Sequence, residues 1–123
     1  MSAIRSGGTK PELVVRKIVS SLGYRYRLHY KTPFGRPDLT LVSRKKAIFV
    51  HGCFWHRHRR CRYSTTPSTN TEFWSAKFKE NLRRDRRVLR DLVTNGWAVL
   101  TVWECETRVL DGLTAKLTDF LKS

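Results

Sequence analysis

Asp38-Leu-Thr-Leu-Val-Ser-Arg-Lys-Lys-Ala-Ile-Phe-Val-His51 is the stretch that decides the fold. Asp38 to Val42 reads as a strand, Ser43 to Lys46 as a polar turn, and Ala47 to Val50 as a second short strand ending at His51, so the two form a hairpin. Upstream, Tyr24 to Tyr30 alternates as a strand should, and Thr32-Pro-Phe-Gly-Arg-Pro37 is turn-like. Before it lies a helix. Thr9 can cap it, Pro11 sits where a helix start tolerates proline, and Glu12 suits the positive end of the dipole. Leu13, Ile18 and Leu22 give this helix an apolar face, and Gly23 ends it.

Downstream, a Ser/Thr/Pro stretch from Ser64 leads to a long helix from about Thr71 to Thr94. Thr71 is placed to cap it, and Trp74, Phe78, Leu82, Leu89 and Leu92 form a stripe at helical spacing. Asp85 falls on the same stripe, as a buried or hydrogen-bonded group with no chemistry assigned to it. Lys77, Lys79, Arg83, Arg84, Arg86, Arg87 and Arg90 occupy the other faces. Asn95-Gly96 stops the helix, Trp97 to Trp103 is an apolar central strand leading to Glu104-Cys105, and Asp111 to Leu121 is a short last helix. The order α-β-β-β-α-β-α predicts one α/β domain over residues 1–123, a mixed sheet flanked by helices.

Charge speaks to partners. Lys and Arg number 25 against 10 acidic residues, a formal +15, with a pI near 10.6 and a mean hydropathy of −0.48. Such an excess favours a polyanion, chiefly nucleic acid, through counterion release. A membrane surface is the rival, but basic helices that lie on membranes carry a large continuous apolar face as well. No apolar run approaches a membrane span, and the start MSAIRSGGTK lacks the apolar core of a signal peptide, so the cytoplasm is the expected compartment. Cys53, Cys61 and Cys105 are an odd number in a chain without a secretion signal, which argues against a disulfide framework.

His51-Gly-Cys-Phe-Trp-His-Arg-His-Arg-Arg-Cys61 is where chemistry concentrates. Cys53-x4-His58-x2-Cys61 supplies three metal ligands within nine residues. Zinc wants four in a tetrahedron, and Cys105, just after the central strand, is the natural fourth, with His56 or His51 as alternatives. A closed set of this kind is a scaffold and leaves no position for catalysis.

Two adjacent strand ends also bring Asp38 of Gly35-Arg-Pro-Asp38 close to His51. This layout resembles the active site of the PD-(D/E)xK nuclease superfamily, in which an Asp on one strand binds Mg²⁺ and the next strand carries E-x-K. Here that slot reads Phe49-Val50-His51, so the second carboxylate is absent and His stands where Lys would be.

The blocks Gly35-Arg-Pro-Asp38, Phe49-Val-His-Gly-Cys-Phe-Trp-His56, Thr71-Glu-Phe-Trp74, Arg84-Asp-Arg-Arg87, Gly96-Trp97 and Val102-Trp-Glu-Cys105 resemble, in order, the very short patch repair (Vsr) endonuclease family. The block from His51 to His56 is the specific one, and the likeness runs from Met1-Ser-Ala-Ile-Arg5 to the last helix. It implies a restriction-endonuclease-like fold, a variant of the PD-(D/E)xK superfamily, with a structural Zn²⁺. It implies Mg²⁺-dependent nicking beside the T of a T·G mismatch, the lesion left when 5-methylcytosine deaminates. By the same resemblance Asp38 and the backbone carbonyl of Val50 ligate Mg²⁺, and His51 and His56 lie in the catalytic pocket. Glu12 orients His56, and Cys53, His58, Cys61 and Cys105 hold zinc. Phe54, Trp55 and Trp74 intercalate beside the mispair.

Physical chemistry suits these roles. A neutral imidazole can take a proton from water, a carboxylate behind it fixes its tautomer, and aromatic wedges can unstack a base step. The expected partner is double-stranded DNA carrying a T·G mismatch, with mismatch-repair proteins as further candidates, and the expected state is a monomer. The alternatives are a related restriction-type or less selective nickase, and a zinc-stabilised DNA-binding module without catalysis. Relatives commonly carry an N-terminal arm ahead of the Met1–Arg5 block, expected to be missing or trimmed here. Some have one residue where this chain has Arg59-Arg60. Both differences bear on target affinity and sequence context.

Overall fold

The hairpin forms, with its boundaries shifted by backbone geometry. In the computed structural model, which describes residues 10–62 and 64–123, the elements are α1 (Lys10–Ser21), β1 (Arg27–Leu28), β2 (Leu39–Leu41), β3 (Lys46–His51), α2 (Thr71–Thr94), β4 (Ala98–Trp103) and α3 (Leu110–Lys122). Thr9 and the Met1–Arg5 block lie outside the described residues. The strand expected over Tyr24 to Tyr30 shrinks to Arg27–Leu28, because His29 turns into the left-handed region at φ 51° and donates its N–H to the Asp38 carbonyl. Val42–Arg44 coil into a 3₁₀ turn and Lys45 adopts φ 52°, which delivers Lys46 into β3 instead of the turn. Lys46 is buried, and its Nζ donates to the carbonyls of Phe120, Leu121 and Ser123 at 2.7, 3.0 and 2.7 Å, a cation at the negative end of α3. Asn70 takes the cap position of α2 at φ 52° without a side-chain cap, and Thr71 is the first helical residue, not the cap.

The sheet is mixed, as expected, in the order β1-β2-β3-β4, with β1–β2 and β2–β3 antiparallel and β3–β4 parallel. Alternation along each strand separates two faces. Leu39, Leu41, Ile48 and Val102 meet Val15 and Val19 of α1 and Leu113, Leu117 and Leu121 of α3 in one closed core. Each such buried side chain contributes about 1.5–3 kcal/mol. On the opposite face α2 buries only Phe78 and Leu92. Between them Leu82, Asp85, Val88 and Leu89 stand over a cleft of about 530 Å³ whose floor includes Phe49, His51, Val99, Thr101 and Trp103. The stripe that periodicity assigns to packing thus packs at its two ends and lines a cavity in its middle.

Gly35 fits the 32–37 turn against α2. A Cβ there would lie 2.7 Å from Val88 Cγ1, closer than side chains approach. The Thr32 hydroxyl closes the turn by donating to the Gly35 carbonyl at 2.6 Å and accepting the Gly35 N–H at 3.0 Å. That docking carries Arg36 and Asp38 to the cleft wall. Among the described residues, no helix is long and apolar enough to cross a membrane.

Candidate active site

Asp38 stands just before β2, beside the end of β3, where strand pairing leaves side chains free to face the cleft. Its Oδ2 accepts the Val50 N–H at 2.7 Å, which fixes the carboxylate. Burial raises the Asp38 pKa above the ordinary carboxylate value despite that hydrogen bond, and the negative charge of Glu12 raises it further. A cation beside the carboxylate would offset both effects.

His51 ends β3 and stacks on His56, with ring centroids 3.8 Å apart and planes 6° from parallel. Trp103 meets His51 edge-on at 5.4 Å. Burial, and then His56, pull the His51 pKa down to about 4, so this imidazole is neutral at physiological pH. The His56 Nδ1 lies 2.5 Å from Asp85 Oδ2. Burial alone would raise the Asp85 pKa, but the hydrogen bond and charge of His56 bring it below the ordinary carboxylate value.

The placement of Glu12 behind His56 is therefore corrected: Asp85, delivered from α2, is the carboxylate that orients this imidazole. Asp85 is hydrogen-bonded, as the stripe suggested, and it also belongs to the His51–His56 cluster. Glu12 instead lies buried beside Asp38, 3.3 Å from His29 Nε2. Donor atoms of Glu12, His29 and Asp38 lie within 4.8 Å of one another, as do those of His51, His56 and Asp85.

Cys53, His58, Cys61 and Cys105 converge as the spacing suggested, all four donor atoms within 4.8 Å, with Cys105 and not His51 or His56 as the fourth. His58 Nδ1 is 3.6 Å from Cys53 Sγ and 3.4 Å from Cys105 Sγ. A tetrahedral zinc with ordinary Zn–S and Zn–N bonds sets such edges at roughly 3.6 Å, so the donors fit the ion in number, chemistry and spacing. Burial pushes the Cys53 thiol up to about 12, so a bound cation is what would hold it as thiolate. Trp103 stacks on the His58 ring at 4.2 Å while touching His51 edge-on, so one indole links the Cys/His knot to the imidazole pair.

Phe54, Trp55 and Trp74 gather in one aromatic cluster with Phe78, in which Phe54 meets the other three edge-on. Trp55 is 49% exposed and the neighbouring Phe73 55%, beside a second hollow lined by Lys77, Asn81 and Arg84. Phe54 is half-buried and acts as the root of the cluster. Arg57 braces it, its guanidinium 4.1 Å above the Phe78 ring while donating to the carbonyls of Phe54, Ser64 and Thr65.

Residues 1–62 match the family model of the DNA mismatch endonuclease Vsr. The chain is 44% identical over 121 residues to the type II nicking enzyme V.XorIIP of Xanthomonas oryzae pv. oryzae, covering 98% of this chain and 88% of that one. The chain belongs to the Vsr DNA mismatch endonuclease family. The Vsr of Escherichia coli itself is 40% identical over 114 residues, covering 93% of this chain and 72% of the relative. The catalytic domain of the homing endonuclease I-Bth0305I shares the fold, with a TM-score of 0.66 at 23% identity over 92% of this chain and 94% of that one.

In this Vsr-family chain, three contributors escaped the linear sequence: Asp85 as partner of His56, His29 beside Glu12, and Arg57 as a brace. For Asp85 a signal existed, a carboxylate in the middle of an apolar stripe. For His29 and Arg57 there was none, because both act from left-handed backbone, at φ 51° and 50°, that no pattern announced.

Proposed function

We propose that this endonuclease nicks one strand of duplex DNA beside the T of a T·G mismatch by Mg²⁺-dependent phosphodiester hydrolysis, acting as a monomer. The observation that carries it is the cleft itself: Asp38 fixed by the Val50 N–H, and the stacked His51–His56 pair anchored by Asp85, face the same cavity.

Asp38 and the Val50 carbonyl would hold Mg²⁺, with the buried Glu12 carboxylate within 4.8 Å of that of Asp38; both carboxylates offer the hard oxygens this ion takes. Mg²⁺ held there would neutralise charge on the scissile phosphate. Asp85 accepts the His56 Nδ1–H, which leaves Nε2 as the ring's proton acceptor. His56 then takes the proton from water as the water oxygen bonds to phosphorus, and the bond to the leaving oxygen breaks with uptake of a proton from solvent. Neutral His51, packed flat on His56, keeps that ring in place and adds no competing positive charge. Cys53, His58, Cys61 and Cys105 would hold a structural Zn²⁺, which would close the loop that carries His56 and the aromatics.

Trp55 and Trp74, rooted on Phe54, enter the stack at the mispair, where stacking is weakest and unstacking costs a few kcal/mol. The arginines of α2 meet phosphates and set register without reading sequence. Names of relatives favour a second reading within the same chemistry, since several are type II nicking enzymes. That reading shares the single-strand product and differs in target. A duplex labelled on both strands and carrying one T·G pair tests the proposal: a nick confined to the T strand, dependent on Mg²⁺, is expected. Equal cutting of the matched duplex favours the less selective nickase, and cutting by Asp38→Ala overturns the metal assignment.

A further inference from the structure

We propose that His29 is a nitrogen ligand of the cation site built on Glu12 and Asp38, making it a mixed oxygen–nitrogen site suited to a first-row transition ion such as Mn²⁺. The inference rests on the assignment of Asp38 as a metal ligand and adds to it a residue and a donor chemistry.

Glu12 is 2% exposed, on the inner face of α1. Its Oε2 and the His29 Nε2 are both shut off from solvent, and neither makes a hydrogen bond among the described residues. They lie 3.3 Å apart, near enough for an ion pair but misaligned for N–H···O. Among the described residues, the other cation beside this carboxylate is Arg16, whose Nη1 is 3.9 Å away, beyond hydrogen-bond reach. Two buried polar atoms turned toward each other without bonding are costly unless something sits between them. Neighbouring ligands of one ion, at metal–ligand distances of about 2.1 Å, stand about 3.0 Å apart in an octahedron and about 3.4 Å in a tetrahedron. The 3.3 Å separation falls in that interval.

The backbone prepares the arrangement. His29 leaves β1 at φ 51° with its N–H on the Asp38 carbonyl, which ties the imidazole and the Asp38 carboxylate to one short segment of sheet edge. Glu12 arrives from α1, and all three donor atoms lie within 4.8 Å. Two carboxylates alone would suit Mg²⁺, whereas an imidazole shifts preference toward transition ions.

The probe is Mn²⁺, added to zinc-loaded protein without DNA and followed by calorimetry and pulsed electron paramagnetic resonance. Wild type is expected to bind Mn²⁺ with a ¹⁴N coupling from a directly bound imidazole. His29→Gln should lose that coupling and weaken binding by about tenfold or more. A His51→Ala/His56→Ala double variant should keep it, because His58 lies in the Cys/His knot and His29 is then the remaining imidazole of the four. No Mn²⁺ binding, no coupling in wild type, or coupling that survives His29→Gln overturns the proposal. Should His29→Gln fail to fold, as judged by circular dichroism, the double variant decides: coupling kept supports His29, coupling lost overturns it. Coupling present in a protein that nicks no DNA would sink the nuclease reading and leave this site standing. Nicking without coupling does the reverse.

Discussion

The two faces of the sheet are made from alternate residues of the same strands and have opposite fates. On one face Ile48 and Val102 disappear under α1 and α3, in a core where Val15, Val19, Leu117 and Leu121 are fully buried. On the other, Phe49, His51, Val99, Thr101 and Trp103 look into a cleft that α2 bridges without filling, leaving Leu89 45% exposed. Stability resides on the closed face, and the proposed chemistry on the open one. An imidazole pair and a carboxylate can be held in a dry but accessible position only where packing stops short.

Substitutions should separate the faces. The largest effect is expected for Asp38→Asn, which can still accept the Val50 N–H but carries no charge: nicking should fall by at least about 10³-fold with the melting temperature little changed. Leu117→Ala, on the closed face, should do the converse. It should cost about 2–5 kcal/mol in denaturant unfolding while the nicking rate per folded molecule stays constant. Asp85→Asn sharpens the comparison from within α2, since one helix serves both roles; single-turnover nicking should drop by about 10²-fold or more. Leu92→Ala on the same helix should lower stability and leave that rate unchanged.

Elements with a strong period were legible in the sequence. The 24 residues of α2, the strand β4 and the hairpin follow from apolar spacing and turn residues, although β4, expected to be central, lies at the edge of the sheet, parallel to β3. The Cys/His knot was legible because its ligand spacing is local, apart from Cys105, which strand order brought in. Side chains that depend on backbone twist were not legible. His29, Lys45 and Arg57 adopt positive φ without glycine, and the shift at Lys45 moved Lys46 from an exposed turn to a buried cap on α3. The assignment of a carboxylate to His56 failed for a different reason: both carboxylates stand on helices, and tertiary packing puts Asp85 of α2 on His56 and Glu12 of α1 beside His29 and Asp38.

Smaller effects probe the seam between the faces. Gly35→Ala pushes a methyl into Val88 and should destabilise by about 1–3 kcal/mol, with much of the loss recovered in Gly35→Ala/Val88→Ala. The least is expected from His51 and pH. Its pKa is lowered from 6.5 to about 4 in the folded chain, so its contribution to stability is complete above pH 6.5 and is lost as pH falls from there through about 4. The unfolded chain takes up that proton first. Denaturation midpoints at pH 7 and pH 5 should therefore converge in His51→Gln relative to wild type.

The most direct test of the whole account is the single-turnover nicking rate on two duplexes that differ only in one base pair, T·G against T·A, with Mg²⁺ present. The account predicts a nick in the T strand of the mismatched duplex at a rate at least about 10²-fold above the matched one. Equal rates on the two duplexes, or no product from either, would contradict it.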